Sequence, residues 1–532
     1  MLALVACGGG RGNELGDVTP LATDGRATEG DDGDDGSAET ASADDTGDGG
    51  AVLDVGSQTG GGPQAACHVV DEMDAPGACQ DKAPPESFDP TTQWTWIGDD
   101  GEVDTFVIPL VANLTDDNAD GSIDLCDIPD VVVVAAAAQG LGGIPPGHIY
   151  VVSGDDGHTH RRFATEVDSW VTPALGDIDD DGVIEIVSAT PAGYFVAFDP
   201  EGTVEWTSKV AWEEPWGGAV ALADLDGDGS SEIVADNLVL DSSGSLRFAI
   251  EGKASALTAT TAADIDGLPG LEVVTHNGVY RSDGTPLFEL GRSGSFPQVA
   301  NMDEDPEPEI LYAGPVGVSL YHHDGTPIFE DLTPTGSNMV GSEFARPAAI
   351  HDFTGDGWPE FATGNALDYA VHRRNGTVVW QSAVEDYSGL AGGTGFDFLG
   401  DGVAEAMYGD EVNTYVFGEN GETLLSVPRV SGTLMEYPVV ADIDNDGSAE
   451  VIITNHGADV GRPAPTIEVI RDREDRWVGA RRIWNQHTYH VTNVREDGTI
   501  PQVEVPSWTH LNTFRTNAQV QDGGVCLPTP EG

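Results

Sequence analysis

The chain of 532 residues carries 92 acidic against 22 basic side chains, a formal net charge of −70 at pH 7. That balance repels polyanions, which argues against nucleic acid as a partner and against direct attraction to an anionic membrane surface. The length is ample for a core, and "VVVVAAAA" at 131–138 is far too short to span a bilayer.

In chain order the first feature is "LVAC" at Leu4–Cys7, which is similar to a bacterial lipobox with Cys7 as the lipidated residue. Residues 1–7 then read as the remnant of a lipoprotein signal. No basic stretch precedes the cysteine, and a chance cysteine after apolar residues is the competing reading. Residues 8–65 are mostly Gly, Asp, Ser, Thr and Ala, too poor in apolar surface to fold, and are expected to form a disordered acidic tether. Residues 66–90 are a cysteine-containing lead-in. Beyond Cys7 the cysteines are Cys67, Cys79, Cys126 and Cys526, an even set that in an exported protein points to disulfides, with three connectivities possible. A Cys67–Cys79 bond across the short lead-in is expected. Cys126–Cys526 is the complementary pair if the chain ends meet, and zinc is the weaker alternative because no C-x-x-C occurs.

From residue 116 onward one short loop recurs. Its first copy, "DDNADGSIDLCD", offers Asp116, Asn118, Asp120 and Asp124, or Asp127 if it is read as a twelve-residue loop. "DIDDDGVIE" offers Asp177, Asp179, Asp181 and Glu185, and "DLDGDGSSE" offers Asp224, Asp226, Asp228 and Glu232. The Asp264 copy, "DIDGLPGLE", has Leu268 where the fifth position needs an oxygen. "NMDEDPEPE" offers Asn301, Asp303, Asp305 and Glu309, with Pro306 in place of glycine; "DFTGDGWPE" offers Asp352, Thr354, Asp356 and Glu360. The Asp397 copy, "DFLGDGVAE", has Leu399 at its third position, and "DIDNDGSAE" closes the series with Asp442, Asp444, Asp446 and Glu450.

Carboxylates crowded into nine residues resist joint ionisation unless something positive sits among them. Positions 1, 3 and 5 turned inward, a glycine bend at 6, the carbonyl of 7 and the acid at 9 suit a hard cation with 6–8 oxygen ligands, calcium above all. An Asp-Gly hairpin turn is the bland reading of a single copy. Repetition favours the cation, so several calcium ions are expected, with the Asp264 and Asp397 loops doubtful.

A second landmark keeps step: "DPEGTVEW", "DSSGSLRF", "RSDGTPLF", "HHDGTPIF", "RRNGTVVW" and "GENGETLL" are turn signals followed by strand-forming residues. Each repeat thus holds two hairpins. Four strands recurring every 37–61 residues indicate an all-β fold, a β-propeller of seven or eight four-stranded blades with eight favoured, over residues 91–476. His158, His160, His322 and His323 lie at predicted turns and are expected to be exposed. The segment 477–532 is unlike the repeats. Its Trp484, Asn485, His487, Tyr489 and His490 could bind a ligand, but completing the last blade or covering its edge is the favoured role, since a strand would point His487 and His490 to opposite faces.

The Asp-x-Asp-x-Asp-Gly-x-x-Glu loop inside a four-stranded repeat resembles the FG-GAP/VCBS repeats of integrin-alpha-type propellers and their bacterial relatives. The resemblance implies a calcium-binding cell-envelope protein, lipid-anchored at the outer membrane, in the periplasm or at the surface. It further implies adhesion to, or recognition of, an extracellular protein or glycan. A lyase acting on polysaccharide and a scaffold subunit of an envelope complex are the alternatives. No G-x-S-x-G elbow, P-loop or Rossmann fingerprint occurs, and no catalytic residue is assigned.

Overall fold

The computed structural model describes residues 67, 76–85, 87–138, 145–213, 215–250, 255–292, 295–334, 347–386, 388, 390–457, 461–462 and 464–529. Cys7 and the 8–65 tether lie outside the described residues. None of the described helices is long and apolar enough to cross a membrane.

Eight sheets of four or five antiparallel strands follow one another among the described residues. Sheet 1 consists of Leu110–Ala112, Asp130–Ala136, Pro146–Ser153 and Thr159–Arg162, with Val167–Asp168 added on its third strand. Sheet 2 consists of Ala174–Gly176, Glu185–Ala189, Tyr194–Phe198 and Val204–Ala211. Sheets 3 to 7 begin at Ala221–Ala223, Thr261–Ala263, Phe296–Ala300, Ala349–His351 and Gly393–Phe396. Sheet 8 takes Val439–Ala441, Glu450–Thr454 and Ile467–Asp472, and is completed by Pro90–Trp96 from the other end of the chain. Second strands such as Glu185–Ala189 are buried along their whole length because both faces are packed, and so they read as continuous apolar runs. Fourth strands such as Val204–Ala211 are largely exposed.

Sheets 1 to 7 are joined, each to the next, by one recurring contact. Gly202 is in the left-handed region (φ +83°), and a Cβ there would fall 2.5 Å from the Phe163 ring that ends sheet 1. Trp206 meets Gly244 in the same way, Phe248 meets Gly284, Phe288 meets Gly325, Leu332 meets Gly376 and Trp380 meets Gly421. Trp94, on the Pro90–Trp96 strand of sheet 8, meets Gly157 of sheet 1. The turn glycines of the second sequence landmark form one half of this contact, and its strand-end residues Trp206, Phe248, Phe288 and Trp380 supply the other half for the sheets that follow them.

The 477–532 segment does not complete the last sheet; it covers that sheet's edge, the other expected role, together with the edges of the seven before it. Sheet 8 already has its fourth strand, and the segment instead runs along the unpaired edges of the first strands, whose backbone groups need partners. Val111 and Trp484 exchange two N–H···O bonds of 2.9 Å, and the Leu175 N–H donates to Asn485 O at 2.8 Å. The Leu222 N–H donates to Gln486 Oε1, the Thr488 hydroxyl to Thr260 O, and Asn512 Nδ2 to Asn301 O. Phe514 and Ile350 exchange backbone bonds, the Thr394 hydroxyl donates to Arg515 O, and Asn517 Nδ2 to Val440 O. Residues 484–517 therefore visit sheets 1 to 8 in order. His487 and His490 are not on a strand; both are buried beside the short helical turn Val491–Asn493.

The cysteine pairing is also corrected: Cys67 bonds Cys126 and Cys79 bonds Cys526, in place of the expected Cys67–Cys79. Gly77–Ala78 runs parallel to the strand Gly524–Leu527, in register Gly77↔Cys526, and this carries Cys79 to a Cα–Cα distance of 5.0 Å from Cys526. The Leu125 N–H donates to Cys67 O, which draws Cys67 to the first acid loop.

Candidate metal centres

Each acid loop joins the first and second strands of its sheet, and its position-9 acid opens the second strand: Glu185, Glu232, Glu272, Glu309, Glu360, Glu405 and Glu450. In all of these the acid's Oε2 accepts the position-2 N–H, as from Ile178 (2.9 Å), Leu225 (2.8 Å), Met302 (2.7 Å), Phe353 (3.1 Å) and Ile443 (3.0 Å). The position-1 carboxylate accepts the N–H of the position-6 glycine: Asp177 from Gly182, Asp224 from Gly229, Asp352 from Gly357, Asp442 from Gly447. These glycines have φ between +83° and +93°, where a Cβ is disfavoured. Pro306 has no N–H to give, and there position 1 is Asn301, whose Nδ2 donates to Asp305 O instead. Position 5 caps the N–H two residues on, as Asp181 does for Val183, Asp228 for Ser230, Asp305 for Glu307, Asp356 for Trp358 and Asp446 for Ser448. Half of each carboxylate set thus holds the turn and the other oxygens converge.

The convergence is tight. Donor oxygens of Asp177, Asp179 and Glu185 lie within 4.8 Å of one another, as do those of Asp224, Asp226 and Glu232. The Thr354 hydroxyl donates to Glu360 Oε1 at 3.2 Å. Glu450 is wholly buried and its Oε1 has no hydrogen-bond partner. Burial, with Asp444, Asp442 and Asp446 adding, pushes its carboxyl well above the ordinary range. Burial, with Glu205 and Asp179 adding, pushes Glu185 up to about 8. Acids so placed hold protons unless a cation replaces them, and an oxygen-only donor set fits a hard cation.

The loops differ in what faces them from the outer strands, which sequence reasoning missed. Arg247 bonds both Asp226 and Glu232, Arg281 lies 3.0 Å from Asp266, and Arg373 lies 2.9 Å from Asp356. Arg471 stands farther off, 3.8 Å from Asp444 and 3.9 Å from Asp446, and Gln93 Nε2 donates to Asp444 Oδ2 at 2.7 Å. His322 lies 3.2 Å from Glu309 and 3.5 Å from Asp303. In sheet 2 the added neighbour is an acid, Glu205. The Asp397 loop keeps the turn without the full ligand set, Glu405 accepting from Phe398 and Asp397 from Gly402, whereas the Asp264 loop keeps the Ile265-to-Glu272 bond but has Pro269 at position 6, so that Asp264 accepts from Gly267 instead.

The first copy is offset. Asp116 accepts from Asp120 and Gly121, Asn118 Oδ1 from Asp120, Asp120 Oδ1 from Ser122, and Asp124 Oδ1 from Cys126, while Asp127 accepts from Asn118 and Asp124. Yet the strand register pairs Ala112 with Asp130, as Gly176 pairs with Glu185 and Ala441 with Glu450. Asp130 is therefore the closing acid of sheet 1, Asn113 stands at position 1, and the 116–127 loop is inserted between them. The apolar run after Asp130, "VVVV", was the available signal. The histidines expected to be exposed also separate: His158 is exposed, but His160, on the fourth strand, is only 15% exposed at its side chain and faces Asp130.

No protein-family model and no curated protein matches the sequence. Solved structures do. The V. cholerae biofilm matrix protein Bap1 is similar with a TM-score of 0.71 and 21% identity, over 83% of this chain and 100% of that one. The exotype rhamnogalacturonan lyase YesX is similar with a TM-score of 0.51 and 16% identity, over 84% of this chain and 83% of that one. At these identities the likeness establishes a shared fold.

Proposed function

We propose that the protein is a calcium-loaded, eight-bladed β-propeller of the cell envelope, anchored by lipid on Cys7, that recognises an extracellular protein or glycan. The Trp94–Gly157 contact supports a closed ring, because it repeats between the last sheet and the first the contact that joins sheets 1 to 7. Asp177, Asp179, Asp181 and Glu185 would hold one calcium ion, and Asp442, Asp444, Asp446 and Glu450 another; the inserted loop, with Asp116, Asn118, Asp120, Asp124 and Asp127, would hold a third. Where Arg247, Arg281 or Arg373 already neutralises the acids, a cation is bound more weakly.

The observation that carries recognition over catalysis is the course of the C-terminal segment. It covers the inner strand edges, and the arginines it brings there are engaged: Arg481 donates to Val491 O and Val494 O, Arg482 pairs with Glu496 at 2.8 Å, and Arg515 donates to His487 O and Ala348 O. A lyase needs basic groups at a channel mouth to neutralise a uronate, and these are committed to structure. A cleft of about 320 Å³ between this segment and the Asp352 and Asp397 loops has His351 and His510 in its lining but, among the described residues, no arginine or lysine. At the opposite end of the sheets the connections present a row of aromatic rings. Phe106 and Trp170 have centroids 5.8 Å apart, Trp170 and Trp216 5.2 Å, and Trp216 is 36% exposed. An exposed, braced indole is suited to stack on a sugar or an apolar side chain.

The likeness to a biofilm matrix protein supports this reading, and that to a rhamnogalacturonan lyase motivates the second, a polysaccharide lyase. A glycan and matrix-protein array probed with and without calcium, beside an assay for unsaturated products from uronate polymers, separates them. Binding that needs calcium and is lost in Trp216→Ala is the expected result. Turnover would favour the lyase, and neither binding nor turnover would leave the scaffold reading.

A further inference from the structure

We infer that sheet 1 carries a separate site for a divalent transition ion, zinc by its donor chemistry, held by His160, Asp117 and Asp130. His160 Nε2 lies 3.3 Å from Asp130 Oδ1 and 3.7 Å from Asp117 Oδ1. The three donors lie within 4.8 Å of one another. Asp130 is 0% exposed, and neither its Oδ1 nor His160 Nε2 has a hydrogen-bond partner, although both atoms are buried. The 3.3 Å between His160 and Asp130 lacks hydrogen-bond geometry, and it is the spacing of two donors around one tetrahedral ion, which at metal–ligand distances near 2.0–2.2 Å stand about 3.3–3.5 Å apart; Asp117, at 3.7 Å, needs only a small approach to join them.

The groups behind the donors are arranged to match. Asp130 Oδ2 accepts the Leu114 N–H at 3.0 Å, and the Thr115 hydroxyl lies 3.0 Å from that oxygen and 3.1 Å from Asp117 Oδ2. Each carboxylate is thus held by its far oxygen while its near oxygen faces the imidazole, which is how outer groups orient metal ligands. Asp117 meets Thr115 and His160, whereas its neighbours Asp116 and Asn118 accept N–H groups of the inserted loop. One imidazole and two carboxylates suit zinc, whereas calcium takes oxygen alone, and three protein donors leave a fourth position for water.

The site is particular to this sheet. On the fourth strands of sheets 2 and 3 the register places Glu205 and Arg247 where sheet 1 has His160. His322 in sheet 5 also faces acids, but its Nδ1 shares a hydrogen bond with Glu309, so it is satisfied as it stands.

The test is the zinc content of the calcium-saturated full chain after exposure to zinc and dialysis into zinc-free calcium buffer. One zinc per chain is expected, with cobalt(II) in its place giving the intense visible bands of a four-coordinate ion. His160→Ala and Asp117→Asn, both near the surface, should abolish retention and leave calcium-dependent melting unchanged, and Thr115→Val should weaken zinc by about ten- to a hundredfold. Failure to retain zinc would overturn the inference. So would equal retention in wild type and His160→Ala, which would place the ion among the chain's other histidines. Neither result depends on the calcium reading.

Discussion

At the residue scale each loop carboxylate has two tasks, capping backbone N–H groups and facing its fellow acids, and mutation can separate them. Asp446 caps Ser448 and belongs to the complete loop of Asp442, Asp444 and Glu450. Leu268 stands at the equivalent position of the Asp264 loop and is 57% exposed. Calcium at a hundredfold excess over its dissociation constant stabilises by about 2.7 kcal/mol per site. The rise in melting temperature on exchanging EDTA for calcium should therefore shrink in Asp446→Ala and stay intact in Leu268→Ala; equal rises in both would argue against the calcium loops. A different residue governs acid stability. Burial alone would raise the Glu436 carboxyl, but His456, Arg429 at 2.9 Å and the Ser431 hydroxyl outweigh it and hold it down at about 2. A depressed carboxyl contributes stability above its ordinary pKa and loses it as pH falls through the folded value. That contribution, on the order of 3 kcal/mol, should vanish from pH 4.5 down to 2. Denaturant titrations of wild type and Glu436→Gln should differ by a constant amount from pH 8 to 5 and converge below, and parallel curves throughout would disprove the assignment.

At the scale of elements, the turn glycine of one sheet and the aromatic or leucine side chain of the sheet before it form a single unit. Gly157 has φ +74°, and a Cβ there would lie 2.7 Å from the Trp94 ring. Gly157→Ala should cost more than about 1 kcal/mol from backbone strain, and Trp94→Ala about 3–5 kcal/mol. Because both disturb the same contact, the double variant should lose less than the sum. Calorimetry of the set checks this, and strict additivity would show that the last sheet does not rest on the first. The C-terminal segment is the complementary element. Deleting residues 477–532 should uncover the first-strand edges that Trp484, Asn485, Phe514 and Asn517 occupy, and uncovered edges pair with other chains. The truncated protein should elute as oligomers or aggregate; a monodisperse monomer would show that the edges need no partner.

At the scale of the whole molecule, the two ends of the described chain are fastened together in several ways. Pro90–Trp96 pairs with Ile467–Asp472, Gly77–Ala78 pairs with Gly524–Leu527, and the Cys79–Cys526 bond spans 447 residues. A bond closing so long a loop stabilises by on the order of 5 kcal/mol through the entropy of the unfolded chain. Non-reducing peptide maps should recover Cys67–Cys126 and Cys79–Cys526, and Cys79→Ser should lower the denaturant midpoint well below that of wild type. Recovery of a Cys67–Cys79 peptide would reverse the pairing.

What the sequence determined by itself is what contiguous residues encode. The nine-residue acid loop, its glycine bend and the turn glycine that follows place four strands in each repeat, because hairpins are set by neighbours in the chain. The departures at Leu268, Leu399 and Pro306 were legible for the same reason. Tertiary structure alone decided which side chain faces each loop. Arg247, Glu205 and His160 come from outer strands about one hairpin away, and nothing in the loop anticipates their charge. Asp130 went unrecognised because the inserted 116–127 segment breaks the one-to-nine spacing, and only the strand register restores it. The Cys79–Cys526 bond joins residues 447 apart, Cys67–Cys126 joins residues 59 apart, and the path of residues 484–517 depends on contacts with strands scattered along the whole chain. Such pairings are fixed when packed sheets bring distant backbone together, a constraint that local sequence cannot carry.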